Sequence, residues 1–176
     1  KPGTLTWPTF DEKTASSLCY TSGTTGNPKG VLYSHRSTMI HSMMMCSGPV
    51  LSLSPDDTIL PVVPMFHANN WSFPWSAAAV GAKLAYCSNN EPANLCALIE
   101  QENVNYVAGV PTVWLGLIQH CEARGEQLPA SLTKAVTGGA AMPRATASTF
   151  MNSSSRPWAT MVTSWKPRCS PGRGAR

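Results

Sequence analysis

The chain has 176 residues, 43% of them apolar, enough for one domain with a sizeable core. No apolar run approaches the roughly 20 residues of a membrane-spanning helix, and Lys1-Pro-Gly-Thr-Leu-Thr-Trp-Pro8 lacks the apolar region of a secretory signal. The formal charge of +4 suggests nucleic acid, but residues 1–150 hold eight Lys/Arg against nine Asp/Glu, whereas residues 151–176 hold five Lys/Arg and no acid. The positive excess belongs to the tail, and the body has no basic, aromatic-interleaved stretch that would read a nucleic acid.

Residues 1–13 read as a polar lead-in continuing from a region upstream. Ala15 to Tyr20 is a moderately apolar run that suits a strand, and Val31-Leu-Tyr33 suits another. Ser34 or His35 can cap a helix through Met43–Met45 to about Ser47, with the methionines expected in the core. Thr58 to Val63 reads as a buried strand. Asn69 or Asn70 is expected to cap a helix through Ala77–Val80, closed by Gly81. Lys83 to Cys87 suits a strand. Asn90-Glu-Pro-Ala93 opens a helix with Leu95, Leu98 and Ile99 at helical spacing. Val104 to Val110 is a strand, Pro111-Thr112 opens a helix through Trp114, Leu117 and Ile118, and Lys134 to Thr137 is a strand entering Gly138-Gly139. Pro143 suits the start of one more helix.

Strands alternating with helices imply an α/β fold with a mostly parallel sheet flanked by helices. Ligands of such sheets bind at the carboxyl ends of strands, where both glycine-rich segments fall. Six cysteines (Cys19, Cys46, Cys87, Cys96, Cys121 and Cys169) include no Cys-x-x-Cys pair. They read as free thiols of a reducing, cytoplasmic compartment and not as metal ligands. Trp71, Trp75 and Trp114 are expected in the core, and His35, His41 and His120 in structural roles.

The chemistry concentrates in Tyr20-Thr-Ser-Gly-Thr-Thr-Gly-Asn-Pro-Lys-Gly30. Glycines allow backbone N–H groups to approach an anion closely. The hydroxyls of Thr21, Ser22, Thr24 and Thr25 can donate to phosphate oxygens, and Lys29 adds a mobile positive charge. The spacing is not that of a Walker loop: two residues separate Gly23 from Gly26, and Gly30 follows the lysine.

This stretch resembles the signature loop of the acyl-adenylate-forming superfamily, which includes acyl-CoA synthetases, peptide-synthetase adenylation domains and luciferases. Three further segments occur in that family's order. Pro64-Met-Phe-His-Ala-Asn-Asn-Trp71 resembles the segment with the gate near the acyl carboxylate. Gly109-Val-Pro-Thr-Val-Trp114 resembles the passage beside the acyl pocket. Thr137-Gly-Gly-Ala-Ala-Met-Pro143 resembles the segment lying against adenine and the acyl group.

The resemblance implies part of the large N-terminal domain of a bacterial medium- or long-chain fatty-acyl-CoA ligase, with methylthio-propionate or another short carboxylate as the competing substrate. It implies ATP, Mg²⁺ and coenzyme A as cofactors of the intact enzyme. Thr21, Ser22, Gly23, Thr24, Thr25, Gly26 and Lys29 would hold phosphates. His67 would help place the carboxylate, with Lys29 as its catalytic companion. Gly138, Gly139 and Ala140 would lie against the base and acyl chain.

The expected division is a lead-in at 1–13, a partial AMP-binding domain at 14–150, and a basic non-family tail at 151–176. The family's aromatic-Gly-x-Thr-Glu loop, whose glutamate helps hold Mg²⁺, has no counterpart in the sequence. The tail is rich in Arg, Pro, Ser and Gly, without apolar periodicity, and reads as disordered; it is either out of frame from somewhere between Arg144 and Ser155 or the unrelated tail of a short natural protein. The chain alone is therefore expected to be inactive. The alternative reading is a non-catalytic truncated product that binds only nucleotide or a partner.

Overall fold

The computed structural model describes residues 3–21, 27–48, 50–152 and 161–163, the last of these as backbone only. The chain divides into two compact units, one of residues 1–57 and 63–84, the other of residues 58–62 and 85–176.

In the first unit, β1 (Ala15–Thr21) pairs antiparallel with β2 (Lys29–Ser34), with Leu18 opposite Leu32 and Thr21 opposite Lys29. The sequence alternation suggested membership of a mostly parallel sheet, but these strands form a sheet of their own. The connection of residues 22–28 is long enough for a hairpin and too short for the dozen or more residues of a parallel crossover. Helix α1 (His35–Cys46) starts at Ser34, whose hydroxyl accepts from Ser37 N–H while Ser37 Oγ accepts from Ser34 N–H, a reciprocal capping box. It buries Thr38, Ser42 and Met45, which recur at i, i+4 and i+7. Met39, Met43 and Met44 fall outside that stripe and are more than half exposed, so the methionine cluster is mostly surface and not the expected core filler.

After the short α2 (Ala68–Trp71), helix α3 (Phe73–Val80) ends at Gly81, whose φ of 79° places the chain in the left-handed region that glycine tolerates. The strand expected over 83–87 is only β4 (Lys83–Leu84). Cys19, Met45, Leu51, Leu53, Val63, Phe73 and Ala77 are the buried apolar residues of this unit among those described.

The second unit is the α/β part. Strands β3 (Thr58–Val62), β5 (Tyr106–Gly109), β6 (Lys134–Thr137) and β7 (Met161–Thr163) lie side by side in that order, all parallel. Helices α4 (Pro92–Glu102), α5 (Pro111–Ala123) and α6 (Arg144–Asn152) alternate with them along the chain. Helix α4 begins at Pro92, with Glu91 and not Asn90 at the N-cap position; the side chain of Asn89 accepts from Glu91 N–H at 3.0 Å. Strand β7 lies within the segment read as an unstructured tail, and the backbone of Met161-Val-Thr163 completes the ladder beside β6. The rest of the expected disordered tail, 153–160 and 164–176, lies outside the described residues.

Leu60, Leu95, Ile99, Val107, Trp114, Leu117, Leu132 and Phe150 belong to one continuous core. Trp114 lies on Gly109: a Cβ at that glycine would come within 3.0 Å of Trp114 Cζ2 and 3.4 Å of Val62 O. The ring of Phe150 sits 5.9 Å from that of Trp114, so one indole joins α5, β5 and α6. Cys96 on α4 and Cys121 on α5 bring their sulfurs to 3.7 Å. Burial first, then the bond to Cys121, pushes the Cys96 thiol up to about 12, so it stays protonated at neutral pH. Five of the six cysteines lie among the described residues; Cys19 and Cys121 are buried, and Cys46, Cys87 and Cys96 are partly so.

Gly109→Ala is expected to destabilise the chain by about 1–3 kcal/mol, because the added methyl meets an indole fixed in a packed core. Urea denaturation followed by Trp fluorescence measures this; an unchanged midpoint would mean that the indole moves aside freely.

Candidate functional site

The candidate residues fall into two groups, one in each unit. In the first unit, the hairpin register sets Thr21 directly opposite Lys29 at the mouth of the glycine-rich loop. Thr21 Oγ1 donates to Lys29 O at 3.4 Å, and both side chains are exposed. A Cβ at Gly30 would lie 3.1 Å from Leu18 Cδ1, the end of a half-exposed side chain. Ser22, Gly23, Thr24, Thr25 and Gly26 lie outside the described residues.

His67 is exposed and precedes α2. Its N–H donates to Pro64 O at 3.0 Å, and its carbonyl accepts from Asn70 N–H at 3.1 Å, which fixes its backbone. The sequence suggested that Asn69 or Asn70 caps an ordinary right-handed helix. Instead, Ala68, Asn69, Asn70, Trp71 and Ser72 all have positive φ, from 45° to 63°. This is a left-handed turn of five non-glycine residues, and each L-residue there costs roughly 1–2 kcal/mol, asparagine least.

Two buried asparagine side chains hold that turn. Asn69, 8% exposed, donates from Nδ2 to Ser17 Oγ at 2.8 Å and accepts at Oδ1 from the Cys19 thiol at 3.1 Å. Asn70 donates to Val63 O. The right-handed helix starts only after Ser72, whose carbonyl accepts from both Ser76 N–H and Ser76 Oγ.

In the second unit, Val62, Gly109, Thr137 and Thr163 are aligned by the register at the carboxyl ends of the four parallel strands. The segments that leave β5 and β6 therefore emerge side by side, and Gly138 N–H donates to Gly109 O at 3.3 Å. Together they border an open, mainly apolar groove of about 380 Å³, lined by Val110, Pro111, Leu115, Gly139, Ala140 and Pro143 among others. Gly139 has φ 81° and is exposed with Ala140. Thr137, 2% exposed, keeps its hydroxyl buried without a hydrogen-bond partner among the described residues.

Thr21 and Lys29 thus meet in one unit, and His67 is tied by Asn69 to the strand that leads to Thr21. In the other unit Gly139 and Ala140 line one groove, and Gly138 directly precedes them. Sequence reasoning missed the part played by Asn69, Ser17 and Cys19. The available signal was Asn69-Asn70 itself, since paired asparagines tolerate the left-handed region and bond to neighbouring groups.

The pattern of the family of AMP-binding enzymes matches residues 5–164, and the chain belongs to that family. It is 56% identical over 138 residues to a medium-chain-fatty-acid–CoA ligase of Ectopseudomonas oleovorans, covering 78% of this chain and 25% of the relative. It is 49% identical over 145 residues to a 3-methylmercaptopropionyl-CoA ligase of Ruegeria lacuscaerulensis, covering 82% of this chain and 27% of the relative. Among solved structures, the inhibitor-bound N-terminal domain of FACL13 from Mycobacterium tuberculosis superposes with a TM-score of 0.67 at 28% identity, over 76% of this chain and 33% of that one. The chain spans about a quarter of the length of the curated relatives it matches.

Ala68→Gly is expected to raise stability by about 1 kcal/mol by relieving one strained residue, and Gly139→Ala to lower it by about 1–2 kcal/mol by creating one. A Cβ at Gly139 would lie at an ordinary 3.4 Å from Val110 Cγ1, so the cost there is in the backbone. Thermal unfolding of both variants tests the pair; equal shifts of the same sign would contradict the assignment.

Proposed function

We propose that the chain is a piece of an ATP-dependent fatty-acyl-CoA ligase: carboxylate and ATP give acyl-adenylate and pyrophosphate, and coenzyme A then takes the acyl group as a thioester. The observation that carries this reading is the hairpin register that sets Thr21 and Lys29 of the Tyr20–Gly30 motif opposite one another, both exposed. The identity to a medium-chain-fatty-acid–CoA ligase supports a fatty-acid substrate, and the identity to the 3-methylmercaptopropionyl relative keeps a short thioether carboxylate as the second candidate.

The residues present suit a polyanion. By residue type, Lys29 and the hydroxyls of Thr21, Ser22, Thr24 and Thr25 offer donors to the β- and γ-phosphates, and glycine at positions 23 and 26 allows backbone N–H groups to approach an anion. The first step gathers negative charge, so these residues act chiefly by positioning and charge stabilisation. His67 helps place the carboxylate. The side-chain-free positions Gly138 and Gly139, with Ala140, leave room for a flat base and an acyl chain along the groove beneath Val110 and Leu115. No step is assigned to magnesium, which in an ATP site would be held mainly by phosphate oxygens and water with one or two protein oxygens.

This reading includes a partial AMP-binding domain at 14–150 and a departure from the family within 151–176, although the family match and β7 both reach into that segment. Resequencing the coding DNA beyond the codon for Ala140 tests the departure; a one- or two-base shift that restores an aromatic-Gly-x-Thr-Glu loop is the expected result. We place the parent in the cytoplasm; no helix among the described residues is long and apolar enough to cross a membrane. As a second reading, the sequence's lack of the family's glutamate favours a product that binds nucleotide without catalysis.

Calorimetric titration with ATP, and ATP–pyrophosphate exchange with a medium-chain fatty acid, test the two readings together. The chain is expected to bind ATP, to lose about tenfold or more in affinity on Lys29→Ala, and to show no exchange. Absence of ATP binding would overturn the phosphate role of the loop, and measurable exchange would overturn the view that this chain is inactive.

A further inference from the structure

We propose that Asn69 is a positioning residue that couples the His67 turn to the hairpin end carrying Thr21 and Lys29. The inference deepens the proposed function and rests on it. Asn69 spends both ends of its amide on β1: Nδ2 donates to Ser17 Oγ at 2.8 Å, and Oδ1 accepts from the Cys19 thiol at 3.1 Å. Ser17 and Cys19 are two residues apart, so both face the same side of the strand. Thr21, the next residue in that alternation, is the last of the strand and stands opposite Lys29. One buried amide therefore spans β1 and the left-handed turn that follows His67 by a single residue.

Local backbone preference opposes the turn at Ala68, Trp71 and Ser72 and is only tolerant at Asn69 and Asn70, yet all five are held at positive φ. What holds it is the polar tether of Asn69 to β1, together with Asn70 on Val63 O. A solvent-exposed asparagine would suffice to tolerate the conformation; burial of this side chain with complementary partners at both ends places it in service of a fixed distance between the two elements. The chemical consequence is that the carboxylate-placing imidazole and the phosphate-holding pair Thr21 and Lys29 keep a fixed relation without touching.

Four variants of the 176-residue chain test this, with inorganic tripolyphosphate as the probe. Asn69→Gly retains the left-handed backbone and removes the tether. Ser17→Ala removes one partner from the other side. Asn69→Asp keeps acceptors for the thiol and for the Ser17 hydroxyl, which can reverse its donor role. The fourth variant combines Ser17→Ala with Asn69→Gly.

The readouts are the tripolyphosphate Kd by calorimetry and the His67 ring signals by NMR, identified through their loss in His67→Gln. The first two variants are expected to weaken binding roughly three- to tenfold and to reduce the ligand-induced shift of His67, with unchanged circular dichroism. Asn69→Asp is expected to restore most of both, and the combined variant to be no weaker than Asn69→Gly alone. Unchanged Kd and His67 shift in folded Ser17→Ala and Asn69→Gly overturn the coupling while leaving the proposed function intact. If the unaltered chain does not bind tripolyphosphate, the proposed function falls and this inference with it. Should Asn69→Gly fail to fold, Ser17→Ala and Asn69→Asp decide the matter: equal weakening by both, or by neither, overturns it.

Discussion

Parallel strands cannot be joined by a tight turn, and that constraint organises the second unit. Each return from the end of one strand to the start of the next must cross a face of the sheet, and helices α4, α5 and α6 supply the intervening segments. The in-register ends at Val62, Gly109 and Thr137 then bring the departing segments together. The groove between Val110 and Gly139 is a direct consequence, because two chains leave adjacent strands in the same direction. Trp114 makes the arrangement specific. Its ring occupies the space above Gly109, so α5 can pack closely only where β5 lacks a side chain.

The first unit solves a different problem. Its glycine-rich loop is borne by an antiparallel hairpin, whose ladder aligns Thr21 with Lys29. The segment after His67 is a left-handed turn made without glycine, an arrangement that local preferences oppose. Side-chain amides buried against β1 and Val63 stabilise it. Local cost offset by long-range polar contacts is the pattern expected where geometry is under functional constraint.

Much of the framework was legible in the residues. Apolar runs bounded by Gly, Pro and Asn located β1, β3, β5 and β6, and Pro92 and Pro111 marked two helix starts at the positions where a missing N–H costs nothing. The methionines of α1 misled because apolar character alone does not say which face of a helix is covered. Thr38, Ser42 and Met45 took the inner stripe instead. The Asn69-Asn70 pair misled for a related reason, since a helix cap and a left-handed turn draw on the same residue type. Strand β7 escaped notice because three residues carry no periodicity of their own and gain their structure from the neighbouring strand.

By itself the sequence determined the alternation of strands and helices and the family, because these depend on short-range spacing and on residue types. Only the tertiary structure decided that β1 and β2 stand apart as a hairpin, that the turn after His67 is left-handed, and that one asparagine ties it to β1. The last two of these depend on contacts between residues about 50 positions apart, such as Asn69 with Ser17 and Cys19. No local pattern encodes them, because the energy that selects the strained turn is supplied by groups that meet only once the chain has folded.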